Sequence, residues 1–152
     1  MRITLAAVGR AKAGPSRDLY EFYAARLTWR LTLKEVEERR ALAPELLKLR
    51  EGERLLAAVP KDARLIALDE GGRHMTSAAF AALLGRWRDG GLQDLAFAIG
   101  GAEGLSQAVV DRADLVLALG PMTWPHLLVR ALTLEQLYRA QTILSGHPYH
   151  RA

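Results

Sequence analysis

The sequence contains no cysteine and little lysine, which occurs only at Lys12, Lys34, Lys48 and Lys61. Without cysteine, the chain can form neither disulfides nor thiolate metal sites, and nothing indicates an oxidising compartment. No apolar run approaches the roughly 20 residues of a membrane span, and the apolar run near the N-terminus is too short for a signal peptide. No internal repeat, linker or low-complexity segment divides the chain. We therefore expect a soluble, cytoplasmic protein that does not contact a membrane.

The composition is that of one globular domain. The 152 residues are 50% hydrophobic and 25% charged, which excludes a disordered or fibrous chain. A chain of this length buries roughly two-thirds of its unfolded surface, so we expect a single domain over residues 1–152. Basic residues number 21 against 17 acidic ones, and the net charge of +4 favours a polyanionic partner. The preference for arginine suits phosphate contacts, although a GC-rich genome or thermal adaptation gives the same bias.

Short apolar strands alternate with helices along the chain. Apolar runs that end at turn residues predict strands at 3–8, 31–36, 64–68, 95–99 and 115–119. Apolar faces that begin near proline, serine or threonine predict helices at 15–28, 44–58, 76–88 and 106–112, and one of about twenty residues after Pro125. This alternation favours an α/β fold with a parallel-rich sheet and helices on both faces.

Three loops should converge at one edge of this sheet, because ligands in parallel α/β sheets bind beyond the carboxyl ends of the strands. These loops are residues 69–73, 100–106 and 120–126. The glycines of the second loop could let a ligand approach the backbone, or could simply form a tight turn. Glu103 in that loop is either a carboxylate of the site or an exposed acid. Met122 and Trp124 could floor an apolar pocket or belong to the core.

The helix after Pro125 is apolar around nearly its whole circumference. We expect it to be covered on more than one side, for example by its own sheet and by a second subunit. Glu135 and Arg139 are four residues apart and should form an ion pair. That pair could be only structural, or it could hold Arg139 rigid for a phosphate or base contact.

The C-terminal tail, residues 147–151 (HPYHR), is rich in histidine, tyrosine and arginine. Pro148 breaks helical spacing and the other histidines are scattered, so we expect no metal site. Such a tail suits stacking on a nucleobase and proton transfer near neutral pH. The alternative is a frayed C-terminus.

Five motifs in order resemble the RlmH family of SPOUT-class methyltransferases. They are residues 99–106 (IGGAEGLS), 122–126 (MTWPH), 128–130 (LVR), 135–140 (EQLYRA) and 147–151 (HPYHR). The resemblance covers essentially the whole chain, with Ala102 standing where the family often has proline. It implies a C-terminal trefoil knot, a homodimer, and methylation of N3 of a pseudouridine in large-subunit ribosomal RNA on assembled ribosomes.

The resemblance also implies roles for individual residues. S-adenosylmethionine would be held in the knot by Leu68, Gly100, Leu119, Gly120, Pro121, Met122, Thr123 and Trp124. Arg139, Tyr149, His150 and Arg151 would face the RNA, with His150 as the candidate base. The tail of one subunit would complete the site of the other.

Two other classes of function remain open. One is a non-catalytic RNA- or ribosome-binding module that keeps the fold without the methyl donor. The other is a nucleotide-binding, flavodoxin-like regulator, which would take a phosphate-bearing ligand at residues 100–106 and give the tail no role.

Overall fold

The computed structural model describes residues 1–150, with the side chain of His150 outside the description. The strands are β1 (Arg2–Val8), β2 (Arg30–Val36), β3 (Arg64–His74), β4 (Asp94–Ile99) and β5 (Leu115–Ala118). The helices are α1 (Pro15–Ala24), α2 (Pro44–Ala58), α3 (Ser77–Asp89), α4 (Gln107–Arg112) and α5 (His126–Ser145), followed by a 3-10 turn at Pro148–His150. All described strand pairs are parallel, in the order β2-β1-β4-β3-β5. The predicted α/β fold is confirmed; the trefoil knot stays a prediction.

The central strands β1, β4 and β3 are buried on both faces of the sheet, and the side chains on the two faces differ in size. Bulky side chains such as Leu5 and Phe97 lie on the face covered by α1, α3 and α5. Alanines such as Ala67 and Ala98 lie on the other face, beneath α2 and α4. Because alternate residues of a strand point to opposite faces, nearly every interior position of these strands is apolar; buried Thr4 of β1 is an exception. The small side chains let α2 and α4 approach the sheet closely.

The connections that leave β3 and β4 run in opposite directions across the sheet. From β3 the chain crosses through α3 to β4, and from β4 it returns through α4 to β5 on the far side of β3. Ligands in open α/β sheets bind at such switch points, beyond the carboxyl ends of the strands. The topology therefore points to the ends of β3 and β4. No described helix is long and apolar enough to cross a membrane.

The long C-terminal helix is covered on several sides, as its sequence predicts. Leu134 and Leu137 of α5 are fully buried in the core, and α1 and α3 flank the helix. Helices of the same chain thus supply much of this cover, and a second subunit as its neighbour stays a prediction.

Strand β3 is longer than predicted. The sequence predicts a turn directly after Leu68, but the strand resumes, and both Leu68 and Arg73 pair with Leu117 of β5. Residues 69–72 form an excursion inside the strand. A Cβ on Gly72 would lie 2.8 Å from backbone atoms of the neighbouring strand, so glycine is needed for the chain to rejoin the sheet.

Helix α1 is shorter than predicted and faces the core differently. It ends at Ala24 rather than at residue 28. The sequence predicts one apolar face of Leu19, Phe22, Tyr23 and Leu27. Tyr23 and Leu27 do pack against the core, together with Tyr20, whereas Leu19 and Phe22 are 37% and 48% exposed. The prediction was wrong for Leu19 and Phe22, because the tyrosine side of the helix lies toward α5.

Candidate active site

The larger of two cavities at the switch point is lined by all three predicted loops. Its volume is about 520 Å³, and it is bordered by Asp69 and Glu70, by residues 100–105 and by residues 122–126. The expectation that the three loops converge is confirmed. The β3 excursion, mispredicted as a plain turn, supplies two carboxylates to this wall.

A smaller, apolar cavity adjoins it. This cavity has a volume of about 250 Å³ and is lined by core side chains that include Phe80, Phe97 and Leu132, and by Glu135 and Gln136 of α5. The residues common to both cavities are Leu68, Leu117, Leu119 and Trp124. The loop after β5, called the last loop below, thus lies between the larger, polar cavity and the smaller, apolar one.

Two side-chain hydrogen bonds hold that last loop. Trp124 Nε1 donates to the carbonyl oxygen of Leu119 at 3.0 Å, and Thr123 Oγ1 donates to Glu70 Oε2 at 2.5 Å. Met122 is 71% exposed and Trp124 41% exposed, so the interpretation of these two side chains as core is wrong. Both instead line the larger cavity.

The glycine loop is both a tight turn and a cavity wall. The amide of Gly104, at φ +80°, donates to the carbonyl oxygen of Gly101 at 3.0 Å. A Cβ on Gly100 would lie 2.7 Å from the carbonyl oxygen of Gly104, a distance that real Cβ atoms do not adopt. The two interpretations left open by the sequence therefore hold together, and exposed Glu103 borders the cavity.

A buried carboxyl group lies behind this loop. Glu51 of α2 is only 8% exposed, and its Oε1 has no hydrogen-bond partner among the described residues. Burial raises the pKa of this carboxyl, and the nearby charge of Glu103 raises it further. Glu51 was not predicted from the sequence. The available signal was its position on the same helical face as Leu55, four residues later.

The tail contacts α5 at the carboxylate of Glu135 and at the ring of Tyr138, whose centroid lies 4.5 Å from that of Tyr149. Arg139 donates to Glu135 Oε1 through Nε at 3.0 Å and Nη2 at 2.5 Å, which confirms the predicted pair. The hydroxyl of Tyr149 donates to the same oxygen at 3.2 Å, and its ring lies 5.2 Å from the Arg139 guanidinium carbon. Burial is the main cause that raises the pKa of Tyr149. Glu135 also borders the apolar cavity, so the tail adjoins this site.

Most of the predicted donor-binding residues lie together. Those that line one or both cavities are Leu68, Gly100, Leu119, Gly120, Met122, Thr123 and Trp124. Pro121 lines neither of them. The predicted RNA-facing residues Arg139 and Tyr149 meet at Glu135, whereas the side chain of His150 and all of Arg151 lie outside the described residues.

A histidine at the site was also not singled out from the sequence. His126, the first residue of α5, lines the larger cavity. Burial lowers the pKa of this imidazole, and the charge of Arg130 lowers it further. His126 is therefore mainly neutral near pH 7, able to donate one hydrogen bond and accept another. The signal in the sequence was its place at the start of a helix that follows a strand-end loop.

Known proteins resemble this chain over its whole length. Residues 1–150 match the family model described as "Predicted SPOUT methyltransferase". The "Ribosomal RNA large subunit methyltransferase H" of Rhodospirillum centenum is 62% identical over 152 residues, covering 100% of both chains. Its namesake in Paramagnetospirillum magneticum is 59% identical and covers 99% of both chains. A solved structure, the putative methyltransferase Lpg2936 from Legionella pneumophila with bound SAM, is 17% identical, covers 92% of this chain and 66% of that chain, and has a TM-score of 0.48.

Proposed function

The chain belongs to the SPOUT methyltransferase family, and from that membership we propose that it methylates N3 of a pseudouridine in large-subunit ribosomal RNA, using S-adenosylmethionine. The name borne by its relatives supports the ribosomal RNA substrate. The observation that carries the proposal is the convergence of three strand-end loops on two adjoining cavities, beside an arginine and a tyrosine that share one carboxylate. Assembled ribosomes are the proposed form of the substrate, as the family resemblance implies.

The two cavities fit the parts of the methyl donor. The apolar cavity suits a flat adenine ring, which stacks on apolar side chains and bonds to backbone groups of residues 119–124. The polar cavity is bordered by Asp69, Glu70 and Glu103, whose carboxylates attract the positive charges of the methionine part. When bound, the donor supplies an electrophilic methyl group on a positively charged sulfur. The glycine loop would let it approach the backbone.

The polar groups of α5 and the tail would act on the RNA base. In the proposed reaction, N3 gives up its proton to His150, whose unperturbed pKa near 6.5 suits proton transfer at neutral pH. Arg139 and Arg151 would hold a phosphate, or the carbonyl oxygen that gains negative charge. Glu135 fixes the direction of the Arg139 guanidinium through two hydrogen bonds, so the site would be ordered before the RNA arrives.

The decisive experiment is mass spectrometry of ribosomal RNA from a strain that lacks the gene. We expect one missing methyl group on a pseudouridine, restored by the wild-type gene. Isothermal titration with S-adenosylmethionine separates the enzyme from a non-catalytic binding module, which should give no heat. His150→Ala should lower the methylation rate and remove its dependence on pH near 6.5. A wild-type rate at every pH would exclude His150 as the base.

A further inference from the structure

A third cavity lies between the β1–α1 loop and the start of α5. Its volume is about 650 Å³, and it is lined by residues 10–17, by Tyr20, Glu21, Leu33 and Glu35, and by Leu127 and Arg130 of α5. None of these residues borders the two cavities of the candidate active site. We name this space the loop cavity.

The loop cavity has more basic than acidic side chains. Arg10, Lys12, Arg17 and Arg130 line it, against two acids, although Arg10 also pairs at 3.4 Å with Glu37 outside the cavity. Both acids are already engaged, because Glu35 accepts from Arg130 Nη1 at 2.6 Å and Glu21 accepts from Arg17 at 3.2 Å. The pair of Arg17 is exposed, and exposed pairs contribute less than about 1 kcal/mol. An incoming anion could therefore recruit Arg17 at little cost, and Lys12 is exposed beside it.

A buried arginine in the wall of the loop cavity has unused hydrogen-bonding capacity. Arg130 is 2% exposed and donates to the carbonyl oxygens of Val8 at 3.1 Å and Gly9 at 2.9 Å. Its Nε has no acceptor among the described residues. A buried donor without a partner costs about 1–3 kcal/mol, and an anion in the cavity would stabilise the Arg130 charge through space.

The first turn of α1 opens on the same space. Its N-cap is Gly14, which offers no side-chain cap, and Pro15 follows. The amides of Ser16 and Arg17 therefore have no acceptor within the helix, and free amides at a helix N-terminus attract anions. Ser16 adds a hydroxyl group to the cavity wall.

The loop cavity lies next to the polar cavity, across the first turn of α5. His126 and Val129 line the polar cavity, whereas Leu127 and Arg130 line the loop cavity. Gly9, where the loop begins, is close to both: a Cβ on it would be 3.8 Å from His126 Nε2, and its carbonyl oxygen accepts from Arg130 at 2.9 Å. An α-helix with its side chains is about 10 Å across, so an RNA strand needs to advance only a short distance from one cavity to the other.

We propose that the loop cavity is a subsite for a backbone phosphate of the RNA substrate, close to the nucleotide that is methylated. This inference rests on the proposed function for its RNA, because the methyl donor carries no phosphate. Arg17, Lys12 and the first amides of α1 bind the phosphate, and Arg130 anchors the wall behind it. The subsite holds the strand in register while the target base enters the active site.

The first test is kinetic. Lys12→Ala and Arg17→Ala should each raise the KM for ribosomes about tenfold, with kcat within about twofold, because a phosphate contact positions the substrate without entering the reaction. The slope of log affinity against log salt should fall by about 1 for each variant. Lys61→Ala is the matched control, because Lys61 is exposed before the amino end of β3, whereas residues 10–17 follow the carboxyl end of β1. A KM and a salt slope equal to those of the control would overturn the subsite.

The second test separates this inference from the proposed function. Amide resonances of Gly14, Ser16 and Arg17 are followed by NMR while inorganic phosphate or a short single-stranded RNA is added. We expect both to shift these resonances in the wild type, with the RNA saturating at much lower concentration, and neither to do so in the Lys12→Ala, Arg17→Ala double variant. This result would support the subsite even if no methyl transfer were detected. Equal shifts in the double variant would overturn it, whatever the activity.

Discussion

At the scale of single residues, Glu51 is the least expected group. A buried carboxylate without hydrogen bonds destabilises a fold, because the charged group is desolvated and nothing replaces its hydration. Glu51 lies behind the glycine loop, and a Cβ on Gly101 would come within 3.3 Å of its Oε2. Its raised pKa, caused first by burial and then by Glu103, means that the folded state binds a proton more tightly than the unfolded state does.

This difference in proton affinity between the folded and unfolded states determines how the stability of the protein should change with pH. A group whose folded pKa is raised contributes stability only at low pH, and that stability is lost as the pH rises through the folded pKa. Glu51→Gln keeps the shape without the charge, so its Tm should exceed that of the wild type by a few degrees at pH 8. The difference should vanish near pH 4. Thermal unfolding followed by circular dichroism measures it.

Glu53→Gln is the control, because Glu53 lies on the same helix and its side chain is 55% exposed. We expect no comparable dependence on pH for it. A lower Tm for Glu51→Gln than for the wild type at pH 8 would contradict the argument, since it would mean that the buried charge is stabilised by a group that the described contacts do not include.

Residues of this kind mark the limit of what the sequence could predict. The pair of Glu135 and Arg139 was predictable, because four-residue spacing on a helix fixes their contact. Arg130 and Glu51 were not predicted, because their burial depends on elements distant in sequence. Arg130, for example, meets the carbonyl oxygens at the end of β1. Charged side chains are expected at the surface, and only tertiary packing reveals the exceptions.

At the scale of helices and strands, the hydrophobic pattern of the sequence predicted the element correctly wherever that pattern was unbroken. The bounds of α2 and the positions of β1 and β4 agree with their predictions, because apolar runs and a proline at N1 are local signals. The error at β3 arose where glycines signal either a turn or a bulge. A bulge is formed here because β3 pairs with β5 again after residues 69–72, and the sequence of β3 alone does not show that pairing.

The contact between α2 and α4 depends on one glycine. A Cβ on Gly52 would lie 2.1 Å from Ser106 Oγ and 2.9 Å from Ser106 Cβ. Gly52→Ala should therefore destabilise the protein by about 1–3 kcal/mol through overpacking, although alanine favours a helix by about 1 kcal/mol. Urea unfolding measures the change in the free energy of unfolding.

Ser106→Gly in the same chain should recover most of that loss, because it removes both contacting atoms. Alone it should cost only a few tenths of a kcal/mol, since the Ser106 side chain makes no cap hydrogen bond. Gly85→Ala is the matched control, since its Cβ would meet only the flexible end of Leu144 closer than 3 Å. Additive effects of the two substitutions would show that Gly52 and Ser106 are not coupled.

At the scale of the whole molecule, exposed apolar side chains support the proposed homodimer. Leu19 and Phe22 of α1 and Met122 and Trp124 of the last loop are large, apolar and exposed. Large exposed apolar side chains can form interaction sites where they lie together. The tail lies beside α1, with the hydroxyl oxygens of Tyr23 and Tyr149 3.4 Å apart. A partner that covers these groups would lie next to both the tail and the donor cavities.

If the tail of each subunit completes the site of the other, two inactive variants should restore one active site. One variant carries Gly100→Ala, whose Cβ would clash with Gly104 in the donor loop; the other ends after Gly146 and so lacks the tail. Co-expression with two different tags and sequential purification isolates the mixed dimer. Its two-fold interface then pairs one intact donor site with one intact tail, so about half of the wild-type activity should return.

Each other outcome of this experiment contradicts one part of the proposal that two subunits share a site. A mixed dimer without activity would place donor site and tail in the same chain. Failure of the two tagged chains to copurify would exclude a stable homodimer, and full activity of the truncated chain alone would remove the tail from the reaction. The Tm of each variant must first match that of the wild type within a few degrees. Only a folded Gly100→Ala chain can place its tail at the donor site of the truncated chain.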